Sequence, residues 1–186
     1  MKLKRRCPWA EGVDPLMQQY HDTEWGVTTK NDQKLFEFLV LESAQAGLSW
    51  RTILAKRENY RKAFAGFDPK KIAKFGTKEV NQLLKDAGIV RNRLKILAVI
   101  NNAQRFLEVQ NEFGSFLNYS QQFKKKGAAK YLRATRSIPT VTPESEAFAK
   151  DLKKRGFKFL GPTVMYAYMQ AVGMVNDHLQ SCFRTK

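Results

Sequence analysis

Apolar residues recur along this chain at intervals of three and four, and convincing alternation at every second position is scarce. The first pattern builds a stripe on a helix, the second one face of a strand, so the chain reads as all-α. Helices are expected over Asp32–Gln45, Trp50–Phe64, Lys78–Asp86, Arg91–Glu112, Pro143–Arg155 and Thr163–Met174. Their ends carry local signals. Thr142-Pro143 is an N-cap with proline at the first helical position, and Asp68-Pro69 starts a short helix in the same way. Gly156 behind Lys153-Lys154-Arg155 reads as a terminating glycine after a basic last turn. Lys124 to Thr140 mixes a lysine run with Gly127 and Pro139 and reads as an irregular, exposed connector.

A chain of 186 residues with 43% hydrophobic content can bury one sizeable core. It reads as a single domain over residues 1–186, with a central helical lobe at about 32–112 and the terminal segments joined in a second lobe. The 33 Lys and Arg against 17 Asp and Glu leave a net charge of +16. Such a surface favours a polyanion, most often nucleic acid, with anionic membranes the alternative. No charged leader with an apolar core opens the chain, and no apolar run approaches the ~20 residues of a membrane-spanning helix. The expectation is an intracellular, cytoplasmic protein without a membrane partner.

The chain has two cysteines and two histidines. His178 and Cys182 are spaced i, i+4, which puts both on one face if their segment is helical. Cys7 and His21 supply a second pair from the opposite end. Two thiolates and two imidazoles satisfy tetrahedral zinc and leave no open position, so a metal here would be structural. The alternatives are ordinary buried cysteines with hydrogen-bonded histidines, and a Cys7–Cys182 disulfide, which a reducing compartment disfavours.

The segment Lys34 to Glu42 is apolar nearly all round, the mark of a buried helix. Glu42 continues the row of Leu35, Phe38 and Leu39. A carboxylate there sits at the core's edge, pairs with a cation, or is held in a functional pocket, because an unpaired buried charge is costly. Gly47 can end that helix, Ser49 can cap the next, and Trp50 follows with a large flat face. Trp9, Tyr20 and Trp25 place further aromatics close in sequence to Cys7 and His21. Each taken singly reads as core; their clustering near a buried acid in a basic protein weakens that reading in favour of a platform for a cofactor or a base.

Leu83 to Lys95 reads as helix, tight glycine turn, helix. Backbone N–H groups around Gly88 and the start of the second helix can hold a phosphate, with Arg91, Arg93 and Lys95 adding positive charge. The alternative is a helical hairpin with a solvated basic end.

Taken together these blocks resemble the bacterial 3-methyladenine-DNA glycosylase I family. The matching stretches are Arg6-Cys7-Pro8-Trp9, Tyr20 to Val27, Leu41 to Trp50, Lys56 to Tyr60, Lys154 to Phe159 and Asn176-Asp177-His178, in order along nearly the whole chain. The resemblance implies a helix-hairpin-helix DNA glycosylase fold in which Cys7, His21, His178 and Cys182 bind one structural zinc and join the two ends. It implies a monofunctional enzyme that flips 3-methyladenine out of alkylated double-stranded DNA and hydrolyses its N-glycosidic bond. Glu42 and Tyr20 would hydrogen-bond the base, Trp50 would stack on it, and Trp9 and Trp25 would help wall the pocket. It further implies a monomer acting on the bacterial nucleoid. Two stretches depart from the family pattern. Ser43 and Ala44 stand where the family often has glycine and a larger residue, and Phe116-Leu117-Asn118-Tyr119 replaces a tryptophan-containing segment.

Overall fold

The computed structural model describes residues 5–124 and 138–185, so most of the expected connector over 124–140 lies outside the described residues. Among the described residues the regular structure is helical, in nine α-helices. They are α1 (Pro15–Thr23), α2 (Asp32–Gln45), α3 (Trp50–Ala63), α4 (Pro69–Ile72), α5 (Thr77–Lys85), α6 (Arg93–Phe113), α7 (Phe116–Ser120), α8 (Pro143–Lys154) and α9 (Pro162–Ala171). No helix of the described residues is long and apolar enough to cross a membrane.

Helix α2 is the axis of the molecule. Every residue from Leu35 to Ala44 is buried, and the helix packs against α3, α6, α7 and α9. Its start is fixed twice over. Asn31 caps it by accepting from Lys34 N at 2.9 Å. The Asp32 carboxylate accepts from Gln110 Nε2 and Phe116 N, both at 2.7 Å, and from Leu117 N at 3.0 Å, which fastens α6 and α7 to it. The aromatic core continues from there through Phe36 and Phe106 to Phe116. Phe116 to Tyr119, the stretch departing from the family pattern, thus forms a core helix, with Tyr119 donating to Asp151 at 2.7 Å.

Two differences from the sequence expectations affect the site. Helix α1 was not expected, because its apolar stripe is thin. Yet Asp14 accepts from Met17 N at 3.1 Å and Pro15 occupies the first turn, the same start signal as at Thr142-Pro143. The second concerns the condition set on the i, i+4 pair: His178 and Cys182 do not lie on a helix. Gly173, with φ of +70°, ends the run after α9, and a Cβ there would fall 2.3 Å from Thr28 N, so no larger residue fits. The tail then turns locally, with His178 N donating to Asn176 Oδ1 and Cys182 N to Leu179 O at 2.8 Å. The i, i+4 spacing is met by a turn in place of a helix face.

Candidate active site

Helices α1, α2, α3 and α9 meet around a cavity of about 290 Å³ lined by Trp9, Tyr20, Trp25, Glu42 and Trp50, together with Met17, Gln45, Ile138, Ala167 and Gln170. The five residues singled out by sequence for a base pocket therefore share one cavity. Tyr20 and Trp50 are 5.3 Å apart between ring centroids, and Trp9 and Trp25 meet edge to face at 5.0 Å. Tyr20 is placed by α1, Glu42 by the last turn of α2, and Trp50 by the first turn of α3, which Ser49 caps through Thr52 N. Sequence reasoning missed Met17, Gln45, Ile138, Ala167 and Gln170. Ser43 and Ala44 point elsewhere: both are buried in α2, and the Ser43 hydroxyl bonds Val40 O at 2.8 Å.

Glu42 is 4% exposed, and no hydrogen bond or ion pair from a described residue reaches it. Burial alone pushes its carboxyl up to about 8, which favours the protonated form near neutral pH. Burial also raises the Tyr20 phenol, reinforced by the Glu42 charge. A cation entering such a cavity meets a group ready to become its counter-charge, within an apolar wall that excludes water.

Directly behind this wall lies the cysteine and histidine cluster. Ligand-capable atoms of Cys7, His21 and Cys182 lie within 4.8 Å of one another, all buried. His178 is not of that trio, but its ring lies 4.9 Å from that of His21, and its Nε2 is buried with no hydrogen-bond partner. The chemistry of the set fits zinc. The Nδ1 atoms are occupied, in His21 by Asp22 at 2.9 Å and in His178 by Asn176 at 2.7 Å, so the Nε2 atoms face the cluster, that of His178 without a bond and that of His21 at 3.3 Å from Cys7 N and 3.5 Å from Cys182 Sγ. Backbone N–H groups of Leu179 and Arg184 point at the sulfurs of Cys7 and Cys182. Burial holds both imidazoles below their usual range, in the neutral form a metal requires, and pushes the Cys7 thiol up to about 12. Trp25 stacks its ring edge against His178 at 4.6 Å, and Trp9 against His21 at 5.1 Å, so cluster and cavity share a wall.

The expected hairpin joins α5 to α6, and its helix begins two residues later than expected, at Arg93 behind an Asn92 cap. The turn is clamped to α3: Lys56 Nζ donates to Ala87 O at 3.0 Å, and Val90 N donates to the Tyr60 hydroxyl at 3.1 Å. A Cβ at Gly88 would lie 2.9 Å from Asn59, so glycine is what lets the turn approach α3. Arg91 and Arg93 are exposed on the turn's outer side. Lys95, the third cation expected at the hairpin, is turned toward the end of α2. Its Nζ donates to Ala44 O at 2.9 Å and Ala46 O at 2.7 Å, capping the end of α2 beside the cavity.

A family model described as methyladenine glycosylase matches residues 9–185. The chain is 48% identical over 178 residues to DNA-3-methyladenine glycosylase 1 of Escherichia coli (strain K12), covering 95% of each. It superposes on a crystal structure of 3-methyladenine DNA glycosylase I with a TM-score of 0.91 at 48% identity, covering 97% of this chain and 99% of that one. A tyrosine-to-phenylalanine variant of 3-methyladenine DNA glycosylase I in complex with 3-methyladenine matches with a TM-score of 0.89 at 35% identity, covering 95% of both chains.

Proposed function

Because the chain belongs to the methyladenine glycosylase family, we propose that its cavity receives 3-methyladenine flipped out of alkylated double-stranded DNA and that the enzyme hydrolyses the N-glycosidic bond. The observation that carries this reading is the buried Glu42, without a partner among the described residues, in an aromatic cavity of a strongly basic chain. N3-alkylation puts positive charge on adenine and weakens the bond to C1′, so the base leaves as a neutral molecule without being protonated. Water adds its oxygen to C1′ and releases a proton, leaving an abasic site.

The protein's task is then recognition. Opening the duplex and unstacking the base costs on the order of a few kcal/mol, offset by phosphate contacts and by stacking against aromatic side chains. Trp50 and Tyr20 provide the stack and an edge contact, while Trp9 and Trp25 close the wall. Glu42 becomes a carboxylate as the cationic nucleotide arrives, accepts from the base's N–H edge, and stabilises positive charge developing on base and sugar. Undamaged adenine is neutral and gains nothing from that charge. Gly88, Arg91 and Arg93 hold the DNA backbone at the hairpin, while Lys95 fixes the α2–α3 connection.

Cys7, His21, His178 and Cys182 would hold one structural zinc. With all four positions taken by protein, that metal supplies rigidity and no chemistry. It would tie the two ends of a single glycosylase domain into a lobe against the central helices and brace Trp9 and Trp25. We read the protein as a monomer of the bacterial cytoplasm, acting on the nucleoid. Incubation with methylated duplex and chromatography of the released bases tests the activity: 3-methyladenine should appear in excess over 7-methylguanine and hypoxanthine, and its absence would sink the reading. Elemental analysis should find one zinc per chain, and chelation should lower the melting temperature before it affects excision.

A further inference from the structure

On the face of the cavity formed by α9, Ala167 and Gln170 stand three residues apart on one side of the helix. Gln170 is not free to present either end of its amide. Its Nε2 donates to Asp177 Oδ2 at 2.7 Å, and the same oxygen accepts from the Tyr166 hydroxyl at 2.5 Å. Asp177 is only 9% exposed and sits between Asn176 and His178 in the tail that leads into the cysteine and histidine cluster. A carboxylate only accepts, so it fixes the amide's orientation: the NH₂ is committed to Asp177 and the carbonyl oxygen is what remains for the cavity. The backbone of Gln170 is held as well, its carbonyl accepting from Gly26 N at 2.9 Å, next to Trp25.

We infer that Gln170 is a specificity-determining residue whose amide carbonyl, oriented by Asp177, accepts from the exocyclic amine of the flipped base opposite Glu42. This rests on the excision reading above. The exocyclic amine of adenine has two N–H groups, one for each of these acceptors. A base with a carbonyl at the same ring position offers no donor there and meets two acceptors. Guanine and hypoxanthine derivatives are of that kind, and a site built to accept hydrogen bonds rejects them even when alkylation has weakened their glycosidic bond equally. Asp177 never touches the base. It is a positioning residue, and it links the orientation of Gln170 to the same stretch of tail that carries His178.

The test uses full-length protein and duplex DNA carrying 3-methyladenine or 3-methylguanine, which share the weakened bond and differ on the edge facing these acceptors. Gln170→Met should slow release of 3-methyladenine about tenfold, the loss of one hydrogen bond to substrate, and should not slow release of 3-methylguanine, which loses an opposing acceptor. Asp177→Asn leaves the cavity residues intact but lets the amide turn its NH₂ inward. It should therefore lower the ratio of the two rates in the same direction, by about threefold to tenfold. Circular dichroism and melting curves establish that each variant is folded; a loss of stability alone lowers both rates together and leaves the ratio unmoved. Folded variants that keep the wild-type ratio would overturn the inference. Wild-type protein that releases no 3-methyladenine would overturn the excision reading, and this inference with it.

Discussion

Glu37 and Glu42 lie on the same helix, five residues apart, and are buried to nearly the same degree, at 5% and 4% exposure. Their surroundings are opposite. Glu37 is met by Arg57 at 2.5 Å, Arg61 at 2.9 Å and Lys34 at 3.3 Å, and Arg57 also forms a two-pronged pair with Glu24 at the end of α1. Among the described residues no cation pairs with Glu42. Burial of a charge is tolerated in one case because partners surround it, and in the other because the group takes up a proton. The difference separates a carboxylate that holds α1, α2 and α3 together from one kept uncompensated until a positive ligand arrives.

The comparison breaks most sharply at Glu42. Glu42→Gln should reduce excision of 3-methyladenine by about 10²–10³-fold, the range for losing one preorganised electrostatic group. Duplex binding, carried by the basic surface, should change little in a fluorescence anisotropy titration. Equal losses in both assays would contradict this. The same variant should be more stable than wild type at pH 8. The unfolded carboxyl ionises near its ordinary 4.5, whereas the folded one resists until about 8. Stability is therefore lost as pH rises between those values and recovered as it falls. The penalty near neutral pH is on the order of 3 kcal/mol. Melting curves from pH 5 to pH 8 should decline for wild type and stay flatter for Glu42→Gln.

Glu37 should behave in the reverse way. Glu37→Gln leaves the largely buried Arg57 with only Glu24 as counter-charge and should destabilise the fold by about 3 kcal/mol, read by denaturant unfolding. Molecules that remain folded should still excise the base, since Glu37 does not line the cavity. A selective loss of excision with unchanged stability would erase the distinction between the two acids.

The contrast also shows what could be read from the chain. Helix α2 was legible to the residue because its apolar run is long and nearly unbroken. The buried acid, the four aromatics and the cysteine and histidine set were legible as residue types scarce or unusual in their settings. The turn carrying His178 and Cys182 was not, because i, i+4 spacing suits a helix and a tight turn alike. The bonds of Lys95 were hidden for a related reason: the charge on a hairpin lysine is visible in sequence, but the carbonyls it reaches at the end of α2 are 49 and 51 residues away. Gln170 gave no signal at all. A glutamine in an apolar helix acquires meaning only once the tail folds back and sets Asp177 beside it.

The smallest effect sharpens the comparison from within the Glu37 cluster. Arg61 also reaches Glu37, but its side chain is 37% exposed against 11% for Arg57. Water screens Arg61 in both folded and unfolded states, so its attraction to Glu37 is largely offset by the hydration it keeps and by the entropy of holding a long side chain. Arg61→Met should therefore cost less than about 1 kcal/mol. Adding salt should narrow that difference further, as it does for exposed pairs. Arg57→Met, which removes the most buried partner of both Glu24 and Glu37 and leaves them the more exposed Lys34 and Arg61, should cost several times more and be nearly insensitive to salt. Denaturant unfolding of the two variants at low and high ionic strength measures both quantities. Similar losses for the two arginines would mean that Glu37 is held by the cluster's summed charge and not by its one buried partner.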